Sequence, residues 1–353
     1  MIARRSSSPW LKRSRASTLR HLLLRGTPDL TRPRVPGREN AERRPRTDAS
    51  FPQHLKRLPK FLKHLDRIEA FQRGKVWPVH VVVFPTTRCQ LRCPFCNYGN
   101  RGEHEDLPWP LFLETLNMLG KGGVRAIEFS GGGEPTCWPC LDEAVCAAAA
   151  QGLEVGVMTN GVDLAPLSSR GLSSCTWLRI DIKGRWQLRR LPPPPSSTFV
   201  STSYVWHEGS QRADLEAIRQ WCLDNHLACR VTFDVLGLSQ EEIRRGVDLA
   251  REIGSPLHPI EPNFAPAPAC YIAWFKPVLA WDGWFYACPC IGLSKDNGRA
   301  LPERFRICHA SQVKEFYEQQ VRDLGHRCCF CKYAAHNGLL ADARAEVMHE
   351  NFI

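Results

Sequence analysis

Short apolar runs alternate with longer amphipathic segments along the middle of the chain. The short runs have the length and composition of buried strands, and the segments between them carry apolar residues at helical spacing. Strands are predicted at residues 79–84, 126–130, 154–159, 177–182, 198–204 and 229–235. Alternation of this kind indicates parallel strands joined by helical crossovers, which is an α/β fold.

The crossover helices are predicted between these strands. They lie near residues 109–120, 141–151, 164–173 and 211–226, with a less regular connection across 184–197. Four consecutive prolines at 192–195 exclude a helix there, so this crossover should be short and partly extended. Six strand-helix repeats therefore account for most of the chain between residues 76 and 260.

The two ends of the chain have different patterns. Residues 51–75 read as one amphipathic lead-in helix, with apolar residues at helical spacing: Leu55, Leu58, Phe61, Leu62, Leu65, Ile68 and Phe71. Residues 1–50 are rich in Arg, Ser and Pro and are predicted to be a disordered leader. The leader has two other interpretations. It could be an electrostatic arm that binds nucleic acid or an acidic partner, or a mitochondrial-type transit peptide. Residues 332–353 are predicted to be a helix.

Charge is concentrated in the leader. The chain has 353 residues, 43% hydrophobic, and a formal net charge of +11. Residues 1–48 contain thirteen Lys and Arg against four Asp and Glu, so the remaining body is nearly neutral. A nucleic-acid partner is therefore disfavoured, and no stretch is long and apolar enough to suggest a membrane span. We expect a cytoplasmic protein, since no secretion signal precedes its sixteen cysteines.

Three cysteines follow the first predicted strand at C-x3-C-x2-C spacing. They are Cys89, Cys93 and Cys96. Structural zinc sites and ordinary iron-sulfur clusters use four protein ligands, so a tight triplet with no fourth ligand nearby indicates a cluster with one open iron. A second motif follows the second strand, where three glycines lead into a carboxylate at Gly131, Gly132, Gly133 and Glu134. Glycines let a backbone approach a ligand closely, and the carboxylate can accept hydrogen bonds from an ammonium group.

The two motifs together resemble those of the radical S-adenosylmethionine (radical SAM) enzymes. The resemblance implies a partial (β/α)6 barrel in which Cys89, Cys93 and Cys96 hold a [4Fe-4S] cluster whose open iron binds SAM. It also implies that residues 131–134 contact the SAM amino group, that Phe95 is the aromatic residue usual before the third cysteine, and that the chain near Tyr98 approaches the adenine. Reductive cleavage of SAM would then produce a 5'-deoxyadenosyl radical.

Polar residues at the carboxyl ends of later strands are further candidates, because ligands of such folds bind at that edge of the sheet. Asn160 follows the third strand and is a plausible contact to SAM or substrate; a plain Asn-Gly turn is the alternative. Asp181 near the end of the fourth strand, Tyr204 at the end of the fifth and His207 beyond it are the predicted catalytic residues. For Asp181, a structural ion pair with Lys183 is an equal alternative.

More cysteines lie in the last hundred residues. Cys270, Cys288, Cys328 and Cys331 form a C-x12-G-x4-C pattern followed by C-x2-C. This segment resembles the twitch domain, the shortened form of the SPASM domain, which implies an auxiliary [4Fe-4S] cluster within a domain spanning 261–353. Cys290 and Cys329 are close enough to replace a named ligand. A zinc ribbon remains the alternative, and disulfides are disfavoured.

These motifs predict an enzyme that abstracts hydrogen from a small metabolite or natural-product intermediate, with oxidation or rearrangement aided by the auxiliary cluster. A radical SAM peptide or protein maturase, and a non-catalytic metal-binding or RNA-binding module, are the alternatives. The resemblance also implies an external one-electron donor such as flavodoxin or ferredoxin.

Overall fold

The computed structural model describes residues 58–102, 104–262, 265–293, 301–326, 328 and 330–345. All of them belong to one compact unit. The predicted leader and the residues before 58 lie outside the described part of the chain. None of the described helices is long and apolar enough to cross a membrane.

Ten strands of the described chain form one sheet. In chain order they are β1 His80–Phe84, β2 Ala126–Phe129, β3 Glu154–Thr159, β4 Trp177–Ile182, β5 Phe199–Trp206, β6 Cys229–Phe233, β7 Leu257–Pro259, β8 Val278–Ala280, β9 Trp284–Tyr286 and β10 Arg306–His309. Their spatial order is β10-β9-β8-β1-β2-β3-β4-β5-β6-β7. Strands β1 to β7 are parallel neighbours in sequence order, so their carboxyl ends form a single edge.

Helices connect the parallel strands. The α-helices are α1 Leu58–Phe61, α2 Leu65–Gln72, α3 Trp109–Lys121, α4 Leu141–Ala150, α5 Ser169–Ser174, α6 Arg185–Leu188, α7 Arg212–Asp224, α8 Gln240–Ile253, α9 Val313–Tyr317 and α10 Ala334–Asp342. Side-chain caps define several of their starts. Ser168 accepts from the Gly171 N–H at α5, and Ser239 and Glu242 form a reciprocal capping box at α8.

The six predicted strands are all present, and the partial (β/α)6 barrel is confirmed. A seventh parallel strand, β7, extends it, and the helix before that strand, α8, was not predicted. The irregular crossover contains only the four-residue α6 before the proline run, as its sequence indicated.

The lead-in helix is interrupted, so its prediction as one helix was wrong. Two short helices, α1 and α2, replace it, and Leu62 and Leu65 are exposed. Phe61 and Phe71 both pack on Phe275, with ring centroids 5.1 and 5.4 Å away. The turn between α1 and α2 therefore lets residues ten positions apart reach the same aromatic ring.

The C-terminal segment continues the same sheet. Strand β8 pairs in parallel with β1, and β9 and β10 follow it as antiparallel strands. This pairing brings the region of the later cysteines to the β1 edge, next to the cysteine triplet. The boundary near residue 260 stays a prediction. Of the helix predicted over 332–353, α10 is present, but it ends at Asp342 and residues 343–345 form a turn, so the predicted extent was wrong. The residues beyond 345 lie outside the described chain.

Side chains alternate between the two faces of the parallel sheet. In β1, Val81 and Val83 belong to the main apolar core with the helices, while Val82 and Phe84 face the other side. The neighbouring register aligns Asp181 with Ser203 and Ser203 with Arg230 on that other face. The face that carries Val82 and Phe84 in β1 therefore carries polar side chains in β4, β5 and β6. Some of these polar groups lie near the carboxyl ends of the strands.

Candidate functional site

The cysteine triplet lies on a loop that leaves the carboxyl end of β1 and is anchored by backbone bonds. The Thr87 N–H donates to the Glu105 carbonyl at 2.9 Å, and the Glu105 N–H donates to Thr87 Oγ1 at 2.9 Å. The Leu107 N–H donates to the Pro85 carbonyl at 2.8 Å. These reciprocal bonds hold the start of the loop before the first cysteine is reached.

Cys89, Cys93 and Cys96 are partly exposed and lie within electrostatic range of one another. Burial raises the pKa of Cys89 and of Cys93, and charge on neighbouring thiolates raises both further. The Leu91 N–H donates to Cys89 Sγ at 3.4 Å. Without a cation the thiols of Cys89 and Cys93 favour their neutral form, whereas a bound metal centre would compensate the charge of thiolates at this position.

The glycine segment runs directly beside this loop. The Gly133 N–H donates to the Thr86 carbonyl at 2.8 Å, and the Glu134 N–H donates to the Arg88 carbonyl at 2.7 Å. A Cβ at Gly133 would lie 2.2 Å from the Arg88 carbonyl oxygen, and one at Gly132 would lie 2.0 Å from Trp281. Gly133 thus lets the segment approach the protein's own cysteine loop closely, and Gly132 lets it approach Trp281. These are different reasons for glycine from the ligand contact that the sequence suggested.

Glu134 is buried at the junction of β2 and β3. Its Oε1 accepts from the Thr136 N–H at 3.2 Å and its Oε2 from the Asn160 N–H at 2.7 Å. Burial raises the pKa of Glu134, although hydrogen bonds from Thr159, Asn160 and Thr136 oppose the shift. Counting the hydroxyls of Thr136 and Thr159, four donors reach this carboxylate, which has about four acceptor positions, so an ammonium group would have to replace one of the hydroxyl donors.

Asn160 connects the end of β3 to the cysteine loop. Its Nδ2 donates to Gln90 Oε1 at 3.2 Å and lies 3.9 Å from Cys89 Sγ. The carbonyl of Asn160 accepts from the Gln187 side chain, whose Oε1 in turn accepts from the Lys183 N–H at 2.8 Å. The ends of β1, β3 and β4 are therefore held together by one chain of polar contacts.

Asp181 and Lys183 form an ion pair at the end of β4, as one of the two sequence interpretations predicted. Asp181 also accepts from Ser203 Oγ at 2.9 Å. Burial opposes charge on Lys183, but Asp181 and the nearby Cys93 hold its pKa above the usual value. The Lys183 ammonium lies 5.7 Å from the centre of the Phe95 ring, so the pair borders the cysteine loop.

A cavity of about 250 Å³ opens between the cysteine loop and the ends of β4 and β5. Its lining includes Arg92, Cys93, Phe95, Lys183, Trp186 and His207. Phe95 and His207 stack with centroids 4.3 Å apart and planes at 22°. Burial lowers the pKa of His207, and its Nδ1 accepts from the Gly209 N–H at 3.1 Å, which assigns the proton of the neutral ring to Nε2.

Two predicted residues lie apart from this cavity's polar groups. Tyr204 is on the opposite face of β5 from Ser203, belongs to the buried cluster with Leu215 and Ile218, and donates from its hydroxyl to Ser210 Oγ at 2.7 Å. Tyr98 is buried, with its hydroxyl donating to the Pro289 carbonyl at 2.6 Å. Tyr98 thereby links the cysteine triplet to the later cysteines.

The later cysteines also gather. Burial raises the pKa of Cys288 well above its usual range, and charge on Cys290, Cys270 and Cys331 adds to this. Cys290 therefore lies with the predicted ligands Cys270, Cys288 and Cys331. Cys329 lies outside the described residues. Cys328 is half-buried within the described chain, and its assignment as a ligand stays a prediction.

Asn337 on α10 holds this second group. Its Oδ1 accepts from the N–H groups of Tyr271 and Ile272, both at 2.8 Å, and its Nδ2 donates to Cys331 Sγ at 3.6 Å. Among the described residues, no three Cys, His, Asp or Glu side chains are arranged to hold a single metal ion. In a four-iron cluster each thiolate binds a different iron. The ligands of a cluster therefore lie farther apart than the ligands of a single metal ion.

Sequence reasoning missed Arg101, Gln187 and Asn337, which connect the candidate groups. Gln187 is buried and bridges Asn160 and Lys183, whereas Arg101 donates to the Thr87 carbonyl at 2.7 Å. Arg101 follows Cys96 by five residues, and this short separation in the sequence was the available signal that the two side chains could meet. The roles of Gln187 and Asn337 depend on contacts between distant segments, which no local motif marks.

Residues 83–185 match the sequence model of the Radical SAM superfamily. The chain is 38% identical over 96 residues to a PqqA peptide cyclase of Rhodopseudomonas palustris, covering 26% of this chain and 24% of that protein. It is 30% identical over 99 residues to dTDP-4-amino-4,6-dideoxy-D-glucose ammonia-lyase of Streptomyces venezuelae, covering 27% and 20%. The chain thus matches about a quarter or less of the length of these curated relatives.

Among solved structures, the chain is similar to native anSMEcpe with bound AdoMet and Kp18Cys peptide. The TM-score is 0.49 at 12% sequence identity, covering 69% of this chain and 81% of that one.

Proposed function

Since the chain belongs to the radical SAM superfamily through residues 83–185, we propose that it binds SAM beside its cysteine loop and starts a radical reaction on an organic substrate. The observation that carries the proposal is the meeting of three strand ends. The thiols of Cys89, Cys93 and Cys96 follow β1, Glu134 follows β2, and Asn160 follows β3, with hydrogen bonds joining all three.

The cysteine loop fits a [4Fe-4S] cluster with three protein ligands. Its three thiols share one electrostatic environment, and N–H groups of Leu91 and Arg101 donate to two of the sulfurs. Donors of this kind stabilise the negative charge of ligating thiolates. When bound, the cluster supplies the electron that cleaves SAM to methionine and a 5'-deoxyadenosyl radical, which takes a hydrogen atom from the substrate.

Each residue around the loop then has a defined task. Glu134 accepts a hydrogen bond from the ammonium group of SAM. Asn160 donates to both Glu134 and Gln90, and so holds the segment that carries the first cysteine beside that carboxylate. The backbone of Gly131, Gly132 and Gly133 keeps Glu134 against the loop. Phe95 presents its ring to the cavity, and Tyr98 keeps the chain after Cys96 in place.

The substrate is proposed to enter the cavity between Phe95, Lys183 and His207. His207 offers an Nε2 proton at neutral pH, and the Lys183–Asp181 pair presents a polar wall. We favour a small metabolite or natural-product intermediate as the substrate of this cavity. A peptide substrate is the second candidate, favoured by the match to a PqqA peptide cyclase, while the match to a nucleotide-sugar ammonia-lyase supports the first.

An auxiliary [4Fe-4S] cluster is proposed at the later cysteines, with Cys270, Cys288 and Cys331 as ligands. The sequence pattern makes Cys328 the fourth ligand. Cys290 is the alternative fourth ligand, because its charge acts on Cys288 together with that of Cys270 and Cys331. A fully cysteine-ligated site would suit electron acceptance from the substrate. The reaction also needs an external one-electron donor such as flavodoxin or ferredoxin. We propose that the protein is located in the cytoplasm.

Anaerobic reconstitution with iron and sulfide tests the proposal. Wild type should bind about eight irons per chain, and the Cys89→Ala/Cys93→Ala/Cys96→Ala variant about four, with loss of 5'-deoxyadenosine formation. Cys146→Ala, on α4 and outside both groups, is the matched control. About four irons in wild type and none in the triple variant would refute the auxiliary cluster. No iron and no SAM cleavage in wild type would refute the enzyme assignment.

The substrate class can be tested separately. Size-separated small-molecule and peptide fractions from a deuterium-labelled lysate should be added to the reconstituted enzyme, and label should be measured in 5'-deoxyadenosine. Label from the small-molecule fraction supports the first candidate. Label from the peptide fraction alone replaces it with the second.

A further inference from the structure

Arg101 closes the cysteine loop from its far end. Its Nε donates to the Thr87 carbonyl at 2.7 Å, before the first cysteine, and its Nη1 donates to the Tyr98 carbonyl at 2.9 Å, after the last. One planar guanidinium thus bonds both ends of the loop, which a flexible ammonium group could not do with the same geometry.

The same guanidinium reaches a cysteine sulfur. Arg101 Nη1 lies 3.6 Å from Cys96 Sγ, in donor geometry. The two carbonyl bonds fix the guanidinium against this sulfur.

Other cations near the loop are engaged differently. Arg88 forms a two-point ion pair with Asp106, and Lys183 is paired with Asp181. The three bonds of Arg101 end on two carbonyl oxygens and a sulfur. None of these three acceptors is a carboxylate, whereas Arg88 and Lys183 each pair with one, and Arg101 is the one of the three that donates to a cysteine sulfur.

Hydrogen bonds to ligating sulfurs and nearby positive charge stabilise the reduced, more negative state of an iron-sulfur cluster. We propose that Arg101 is a positioning residue that raises the reduction potential of the cluster held by Cys89, Cys93 and Cys96. This inference rests on the proposed function, because it needs a cluster at that loop. It assigns to Arg101 the control of how readily the centre accepts the electron from its donor.

The test is a redox titration of the reconstituted full-length protein followed by electron paramagnetic resonance. The cluster at the loop is identified as the one whose spectrum changes when SAM is added. Arg101→Met removes charge and donors together, and Arg101→Lys keeps the charge but loses the fork. Arg88→Met is the matched control, because it removes an equal charge from the same loop without removing a sulfur contact.

The midpoint potential of the SAM-responsive cluster should become more negative in Arg101→Met, with altered g-values, and should be partly restored in Arg101→Lys. Arg88→Met should change it less. A wild-type potential and spectrum in Arg101→Met would overturn the inference. If Arg101→Met does not retain iron, Arg101→Lys decides: a shifted potential supports the proposal, and an unchanged one overturns it.

Failure of the underlying function has a different signature. In that case wild type itself would show no SAM-responsive cluster, whatever residue stands at position 101. An Arg101 variant that differs from wild type only in SAM-cleavage rate, with the same potential and spectrum, would also count against this inference.

Discussion

The two cysteine groups differ in how the chain builds them. The first group is contiguous, with its three thiols within eight residues on a loop after one strand, and a cavity opens beside it. The second is assembled from segments near residues 270, 288 and 331, and an asparagine on α10 holds them. A local loop can keep an open face for a ligand, whereas a site made from distant segments depends on the packing around it.

The sharpest test of this contrast is to remove each group separately. In Cys270→Ala/Cys288→Ala we expect about four irons to remain and 5'-deoxyadenosine formation without added substrate to persist, because the loop after β1 is untouched. Substrate turnover should fall, since the proposed electron acceptor is lost. Iron counting and product analysis measure both effects, with Cys146→Ala as control. Loss of all SAM cleavage would mean that the two groups are not independent.

Asn337 tests whether the second group depends on tertiary packing. Asn337→Leu leaves the buried N–H of Ile272 and the partly buried N–H of Tyr271 without their acceptor, and each such group costs about 1–3 kcal/mol. We therefore expect a loss of roughly 2–6 kcal/mol in the free energy of unfolding, measured with urea. Asn337→Asp keeps the acceptor and should lose less.

Leu339→Ala, on the exposed side of the same helix, is the control and should change the stability little. Equal destabilisation by Asn337→Leu and Leu339→Ala would contradict the anchoring role of Asn337.

The smallest effect concerns pH at the first group. Burial raises the pKa of Glu134 above 4.5, and only the ionised carboxylate attracts an ammonium group. SAM affinity should therefore rise with pH through this raised pKa. Glu134→Gln should bind SAM about 10- to 150-fold more weakly at neutral pH and lose the pH dependence, because a hydrogen bond to a charged group contributes about 1.5–3 kcal/mol. Equilibrium binding at several pH values measures this.

The stability of the fold should change in the opposite direction over the same window. A carboxyl whose pKa is raised on folding stabilises the fold below its unfolded pKa, and this contribution is lost as pH rises through the folded value. Glu134→Gln should remove that slope from the unfolding free energy, whereas Glu143→Gln, at an exposed site on α4, should keep it. A wild-type slope in Glu134→Gln would assign the titration to another group.

Most of the parallel sheet was predictable because its strands are long enough to show a pattern. The six strands from β1 to β6 were located within a few residues by their apolar runs. Strands β7, β8 and β9 have three residues each, which is too short for periodicity to mark. Helix α8 was missed although Ser239 and Glu242 form a capping box, a signal that the sequence did contain.

The site was predictable in part for the same reason. Cys89, Cys93 and Cys96 carry their own spacing, and Glu134 directly follows its glycines. The cavity wall formed by Lys183 and His207 depends on which strand ends are neighbours, and the assignment of Tyr204 depended on which face of β5 it occupies. Side-chain direction near the end of a strand changes with a single residue of register.

The amino-acid sequence by itself determined the alternating α/β fold, the cysteine triplet and the glycine-carboxylate segment, because each is written in neighbouring residues. Tertiary structure decided that β8 pairs with β1, that Tyr98 contacts Pro289, and that Arg101 faces Cys96. The physical reason is the range of the interactions. Periodicity and spacing act along the chain, whereas burial, charge pairing and hydrogen bonds at the site join residues that only the packed sheet brings together.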